Sequence, residues 1–234
     1  MLATPDNGVA AVIYAPSKAT IKVGGGTEVT IDQVTKYPFD NTSSFTISTS
    51  KMVQFPFYLR IPSWTKDAQL KINGKKMKVD LVAGKYARIE REWKTGDIVE
   101  VVYPMSLSAK TWQINKNSVS VNYGPLTLSL NIEEDYKKVD SKETAIGDSK
   151  WQENADPSKW PSFEIYPKSA WNYALLLNKE NLDNYISVEK RAWPDDDFPF
   201  IQQNSPLIFK AKGRQIPSWT IDEYKLCGVL PDED

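Results

Sequence analysis

The sequence contains no histidine in 234 residues. That excludes Ser-His-Asp and Cys-His catalytic arrangements and every metal site built on imidazole. Cysteine is almost as scarce. Cys227 stands alone, so no internal disulfide and no cysteine zinc cluster can form within this chain. An excess of charge of either sign is missing too. Lys and Arg total 29 against 30 Asp and Glu, for a net charge of -1. No global field steers nucleic acid or an anionic membrane, and neither is an expected partner. Long hydrophobic runs are also lacking: the longest, over 9–16, falls far short of the ~20 residues that span a bilayer. The opening "MLATPDNG" has no basic region followed by an apolar stretch, so no signal peptide is expected.

What is present reads as strands. The stretches 9–15, 27–37, 44–50 and 55–61 are rich in β-branched and aromatic residues, and several alternate apolar with polar. The turns between later strands are more specific. "KINGKK" (71–76) holds Asn73-Gly74, a pair that accepts positive φ at both centres of a type I′ hairpin. Gly84 precedes an alternating strand over 86–92, and Gly96-Asp97 separates it from "IVEVV". Two more strands are expected over 118–134, broken at Gly124-Pro125, and others over 171–177, 206–213 and 222–230. Strands every 8–12 residues with Gly or Asn turns predict an all-β fold of two antiparallel β-sandwich-like domains. The expected division is 1–108 and 109–234, the second domain carrying a long irregular insert over about 135–205.

Chemistry-bearing stretches each have a bland alternative. "VGGGTEVTI" (23–31) leads into a strand, not a helix, so its glycines read as a hairpin turn and not a phosphate cradle. Asp195, Asp196 and Asp197 lack the spacing of a calcium loop and read as a solvated acidic loop, with a cation site as the alternative. Glu90, Glu92, Asp97 and Glu100 are the nearest thing to a glycosidase carboxylate pair. However, alternation puts Glu90 and Glu92 beside Arg88 on one face, as on a charge-mixed solvated sheet. Cys227 lies in an apolar strand pattern and reads as an inert buried thiol. No catalytic, cofactor-binding or metal-binding residue is assigned, and the chain alone is not expected to be an enzyme. Of the eight tryptophans, Trp160, Trp171 and Trp193 lie outside the regular strands and are the candidates for carbohydrate or interface contacts.

The pentapeptide Ile-Pro-Ser-Trp-Thr occurs twice, at 61–65 and 216–220. Proline cannot donate to a ladder, serine favours a turn, and tryptophan can fold back as an apolar plug. Both copies therefore read as a strand exit, with Trp64 and Trp219 as structural residues, mostly buried, alongside Gly74. The alternative is a pair of stacking platforms for glycan.

Taken in order, "FYLRIPSW" (57–64), "INGKK" (72–76), "GKYARIEREWKTGDIVEVVYPM" (84–105) and "VNYGPLTLSL" (121–130) resemble the β-sandwich region of glycoside hydrolase family 127, the β-L-arabinofuranosidase-like proteins. "EIYPKSAWNYAL" (164–175) and "SPLIFKAKGRQIPSW" (205–219) resemble the C-terminal part of many bacterial members. The resemblance implies that catalysis belongs to an N-terminal (α/α)6 barrel with a cysteine nucleophile on a Cys- and Glu-bound zinc. None of those residues maps onto this chain, and Cys227 does not match the motif. The implied role is an accessory one, bracing that barrel, with zinc only in the catalytic domain and with a homodimer and a glycan as further partners. It also implies a periplasmic or extracellular parent. The rival reading is a carbohydrate-binding module using exposed Trp and Tyr.

Overall fold

The computed structural model describes residues 1–140, 156, 158–223 and 226–231. Among them the regular structure is strand, with three single-turn 3-10 helices.

The first ten strands form a sandwich. One sheet runs β1 (Leu2–Ala3), β2 (Val9–Ala11), β6 (Val53–Arg60) and β9 (Tyr86–Trp93), in the order β1-β2-β6-β9. The other contains β3 (Ser17–Val23), β4 (Thr27–Thr35), β5 (Thr42–Thr49), β7 (Gln69–Ile72), β8 (Lys75–Lys76) and β10 (Ile98–Val102), in the order β3-β4-β5-β10-β7-β8. Pairing is antiparallel except between β2 and β6, which run parallel with Val9 opposite Phe57. Strand β3 was not expected. It alternates Lys18, Thr20 and Lys22 with Ala19, Ile21 and Val23, and its lysines suit an edge, where they discourage pairing with another chain.

Period-two alternation decides which side chains meet between the sheets. Val29 and Ile31 on β4, Phe45 and Ile47 on β5, Phe55, Phe57 and Leu59 on β6, Ile89 and Trp93 on β9, and Val99 and Val101 on β10 are all buried in one core. Phe57 lies between Phe45 and Trp93, with edge-on rings at 5.3 and 6.2 Å. Trp93 is fully buried, and its indole N–H donates to the Phe55 carbonyl at 3.0 Å, so its one polar group is satisfied. Gln33 continues the inward row of β4, its Oε1 accepting from Ser17 at 3.3 Å. Tyr14 and Tyr103 close one end of the core with ring centroids 4.8 Å apart. Burial pushes the Tyr14 hydroxyl up to about 12, and burial raises Tyr103 further, so both stay neutral.

The remaining strands form smaller sheets. They are β11 (Leu107–Trp112), β12 (Ser118–Tyr123) and β13 (Leu126–Thr127) in one, then three two-stranded ribbons. The ribbons pair β14 (Glu134–Val139) with β15 (Ser162–Pro167), β16 (Tyr173–Leu175) with β19 (Gly213–Gln215), and β17 (Ile186–Lys190) with β18 (Leu207–Ala211). A second, much smaller core gathers Val121, Leu182 and Ile186 with Leu107, Val119 and Phe209 packed around them. The stretch expected to be irregular, about 135–205, thus contributes strands to all three ribbons; residues 141–155 and 157 lie outside the described residues. Of the strand expected over 222–230, the described residues show one bridge, between Ile221 and Cys227.

Candidate functional site

The two cores meet at a seam built from local turns. On the sandwich side, the β4–β5 connection folds over Lys36, whose carbonyl accepts from the backbone N–H of Phe39 (3.0 Å) and Asp40 (3.1 Å). The Asn41 carbonyl then accepts from the backbone N–H of Tyr103 at 2.7 Å, which fixes Asp40 and Asn41 beside Pro104 and Met105. Gly124 opens the β12–β13 turn at φ +56°, and a Cβ there would lie 2.8 Å from Met105 Cγ. Only glycine allows both that backbone conformation and that approach.

On the other side lies the loop "WPDDDFPF" (193–200). Asp197 adopts φ +55°, and its carboxylate accepts the indole N–H of Trp193. Asp196 accepts from the Phe198 backbone at 3.1 Å and from Asn204 Nδ2 at 3.0 Å. The acidic run is therefore engaged in holding its own loop, and no cluster of three or more metal-ligating side chains occurs among the described residues. The loop carries aromatics across the seam. Phe39 packs edge-on against Phe200 at 5.3 Å and Trp193 at 6.2 Å, and Lys36 Nζ sits 5.0 Å from the Trp193 ring centre.

Beside these rings lies a cleft of about 150 Å³. Phe39, Pro104, Met105 and Leu207 give it apolar walls, and Asp40, Asn41, Tyr123 and Lys190 give it polar ones.

The three candidate tryptophans are distributed over different settings. Trp193 belongs to the seam. Trp171 packs against Trp219 at 5.0 Å. Trp160 ends the turn capped by Asp156 and is 72% exposed. Both copies of the repeated pentapeptide follow a strand directly, β6 and β19. Their turns close one residue apart in register: Thr65 N–H donates to the Pro62 carbonyl, whereas Trp219 N–H donates to Ile216. Trp64 and Trp219 are mostly covered, as expected, though neither is fully buried, each lying on the rim of its unit. Trp64 meets Tyr103 edge-on at 6.4 Å, and Trp219 donates to the Gly228 carbonyl at 2.9 Å.

Asn73 and Gly74 have φ of +50° and +76°, with Ile72 opposite Lys75, the geometry of a two-residue hairpin. Sequence reasoning missed what Asn73 also does. Its Nδ2 donates to Asp97 at 2.8 Å, and its Oδ1 accepts the Ile98 N–H at 2.8 Å. Asp97 is 1% exposed. Burial alone raises its carboxyl, but hydrogen bonds from Asn73 and the Lys94 backbone, with the Arg91 charge 3.8 Å away, outweigh it and hold the pKa below the usual range.

The remaining carboxylates of that stretch are dispersed. Glu90 pairs with Arg88 at 2.6 Å on the outer face of the first sheet, where Arg88 also donates to Tyr58 and Tyr58 to Asp6. Glu100 pairs with Lys71 at 2.8 Å on the other sheet. Asp97 is sealed beneath its turn. Their partners are basic or amide groups on separate parts of the sandwich, and none of them faces another across a space where a glycosidic bond could sit. Cys227 is exposed, contrary to the buried thiol expected, because the strand that would have covered it is a lone bridge.

Residues 8–105 match the family model described as beta-L-arabinofuranosidase, GH127 middle domain. The matched stretch is the sandwich itself. Among solved structures the chain is similar to a GH127 beta-L-arabinofuranosidase from Geobacillus stearothermophilus T6, at 23% identity and a TM-score of 0.48, over 69% of this chain and 30% of that one. It is also similar to a protein described as a glycoside hydrolase, at 25% identity and a TM-score of 0.47 over 56% and 26% of the two chains. A third is a GH127 beta-arabinofuranosidase, at 23% identity and a TM-score of 0.46, over 57% and 26%. The chain thus spans about 30% of the length of the first of these structures. No curated protein matches it. The stretch similar to that family model runs from β2 to the end of β10, and the seam residues Pro104 and Met105 lie at its edge.

Proposed function

We propose that this chain is the non-catalytic β-region of a glycoside hydrolase resembling β-L-arabinofuranosidases, made of two units over 1–108 and 109–234 that brace a catalytic domain elsewhere in the parent protein. The observation that carries this reading is the middle-domain match over 8–105. The dispersed, ion-paired carboxylates support it, since the common two-carboxylate route of glycoside hydrolysis needs a pair flanking one bond and the chain's lone cysteine does not match the family's nucleophile motif. In this reading the parent's substrate is a β-L-arabinofuranoside, and any zinc chemistry belongs to its catalytic domain. A chimera tests the bracing role. Deleting the middle domain from a full-length GH127 enzyme lowers its melting midpoint, and grafting residues 8–105 of this chain in its place recovers part of the loss. An enzyme whose midpoint and turnover are indifferent to the deletion would refute it.

A further inference from the structure

The geometry points to a second role for the seam: its cleft binds a single neutral sugar residue. Four polar side chains line it, and each keeps hydrogen-bonding capacity among the described residues. Asp40 spends Oδ1 on the Asn41 backbone at 2.6 Å and has Oδ2 to offer. Asn41 spends Oδ1 on the Thr42 hydroxyl at 3.2 Å and has its amide donors. The Lys190 ammonium and the Tyr123 hydroxyl take part in no hydrogen bond or ion pair among the described residues. Together they give an acceptor-only group, two donors and a hydroxyl that does both. This mix suits hydroxyl groups, each of which donates once and accepts twice. It suits an ion poorly: Asp40 repels an anion and Lys190 repels a cation, so a charged ligand gains little from the pair.

Size and walls agree with that class. At ~30 Å³ of liquid volume per water, about 150 Å³ holds on the order of five waters, the scale of one small monosaccharide and not of a folded partner. Phe39 and Leu207 supply apolar surface for the carbon-bound hydrogens of a sugar ring, as pocket walls with a few placed polar groups usually do. Beyond Phe39, Phe200 is 67% exposed with its ring already fixed edge-on to Phe39, offering a face for a further residue of the same glycan. Trp193 acts here as a positioning residue, holding the loop that presents Phe200.

The assignment stands on the cleft and not on the bracing role, so either can fail without the other. The test uses the whole 234-residue chain with L-arabinose and methyl β-L-arabinofuranoside as probes, read by ligand-observed saturation-transfer NMR. The expected result is a saturable signal with Kd near the millimolar range, weakened about tenfold in Asp40→Asn and in Lys190→Met. Both side chains are exposed, so the melting midpoint stays put in both variants. A signal absent with both probes overturns the proposal. So does binding that is unchanged in both variants but lost in Trp160→Ala, which would place the sugar on the exposed indole instead.

Discussion

Replacing Asp97 tests the device that ties the β7–β8 hairpin to the turn between β9 and β10. In the native chain its buried carboxylate accepts from Asn73 Nδ2 at 2.8 Å and from the Lys94 backbone at 3.1 Å. Lys94 is exposed, so water replaces that second partner once the carboxylate is gone. The Asn73 donor is less easily rehydrated, because Asn73 Oδ1 stays committed to the Ile98 N–H across β7 and β10. A hydrogen bond to a charged group contributes about 1.5–3 kcal/mol, and Arg91 at 3.8 Å adds a weaker, half-exposed attraction. Asp97→Ala should therefore cost about 2–4 kcal/mol in urea unfolding at pH 7. The sign with pH follows from the depressed folded pKa. Stabilisation by Asp97 is fully present above the unfolded carboxyl pKa of about 3.9 and is lost as pH falls through the lower folded value. The stability gap between wild type and Asp97→Asn should accordingly be constant from about pH 7 to 5 and shrink below about pH 4. A loss under about 0.5 kcal/mol for Asp97→Ala, or a gap that does not narrow in acid, would refute the reasoning.

Gly74→Val should cost about 1–3 kcal/mol through φ alone, since a Cβ at that position meets nothing within 4 Å; an unchanged unfolding midpoint would rule out that backbone cost. Trp93→Ala should cost about 3–5 kcal/mol in the same assay, because the indole is fully enclosed and its N–H bonded. Trp64→Ala, on the rim against Tyr103, should cost only about 1–2 kcal/mol, and equal losses at the two sites would contradict the burial difference.

The hairpin at Asn73-Gly74 was legible because turn chemistry is local: positive φ and a two-residue span leave few alternatives, whereas the Gly96-Asp97 turn carries the chain from one sheet to the other, β9 to β10, which no local signal announces. Nothing local says that Asn73 reaches Asp97, 24 residues on, although both are residues that favour side-chain to backbone bonds at turns. The inward rows of β4, β5, β6 and β9 followed from alternation, and the parallel β2–β6 pair did not, since alternation carries no information about partner or direction. The repeated pentapeptide located two strand exits with largely covered tryptophans, but not the partners that cover them, Tyr103 in one case and Trp171 in the other. Trp193 was singled out among candidates for contact, yet its neighbours Phe39 and Phe200 were not, because the seam joins loops about 150 positions apart. Cys227 was misjudged for a related reason: an apolar stretch looks like a covered strand until its pairing is known.

The central claim is that this chain holds the β-region of a glycosidase and none of its catalytic groups. The most direct measurement is hydrolysis of an aryl β-L-arabinofuranoside by the purified 234-residue chain, with and without added zinc. The account predicts no turnover above buffer in either case. Steady turnover by the chain alone, abolished by Glu90→Gln, Glu92→Gln or Glu100→Gln, would contradict it.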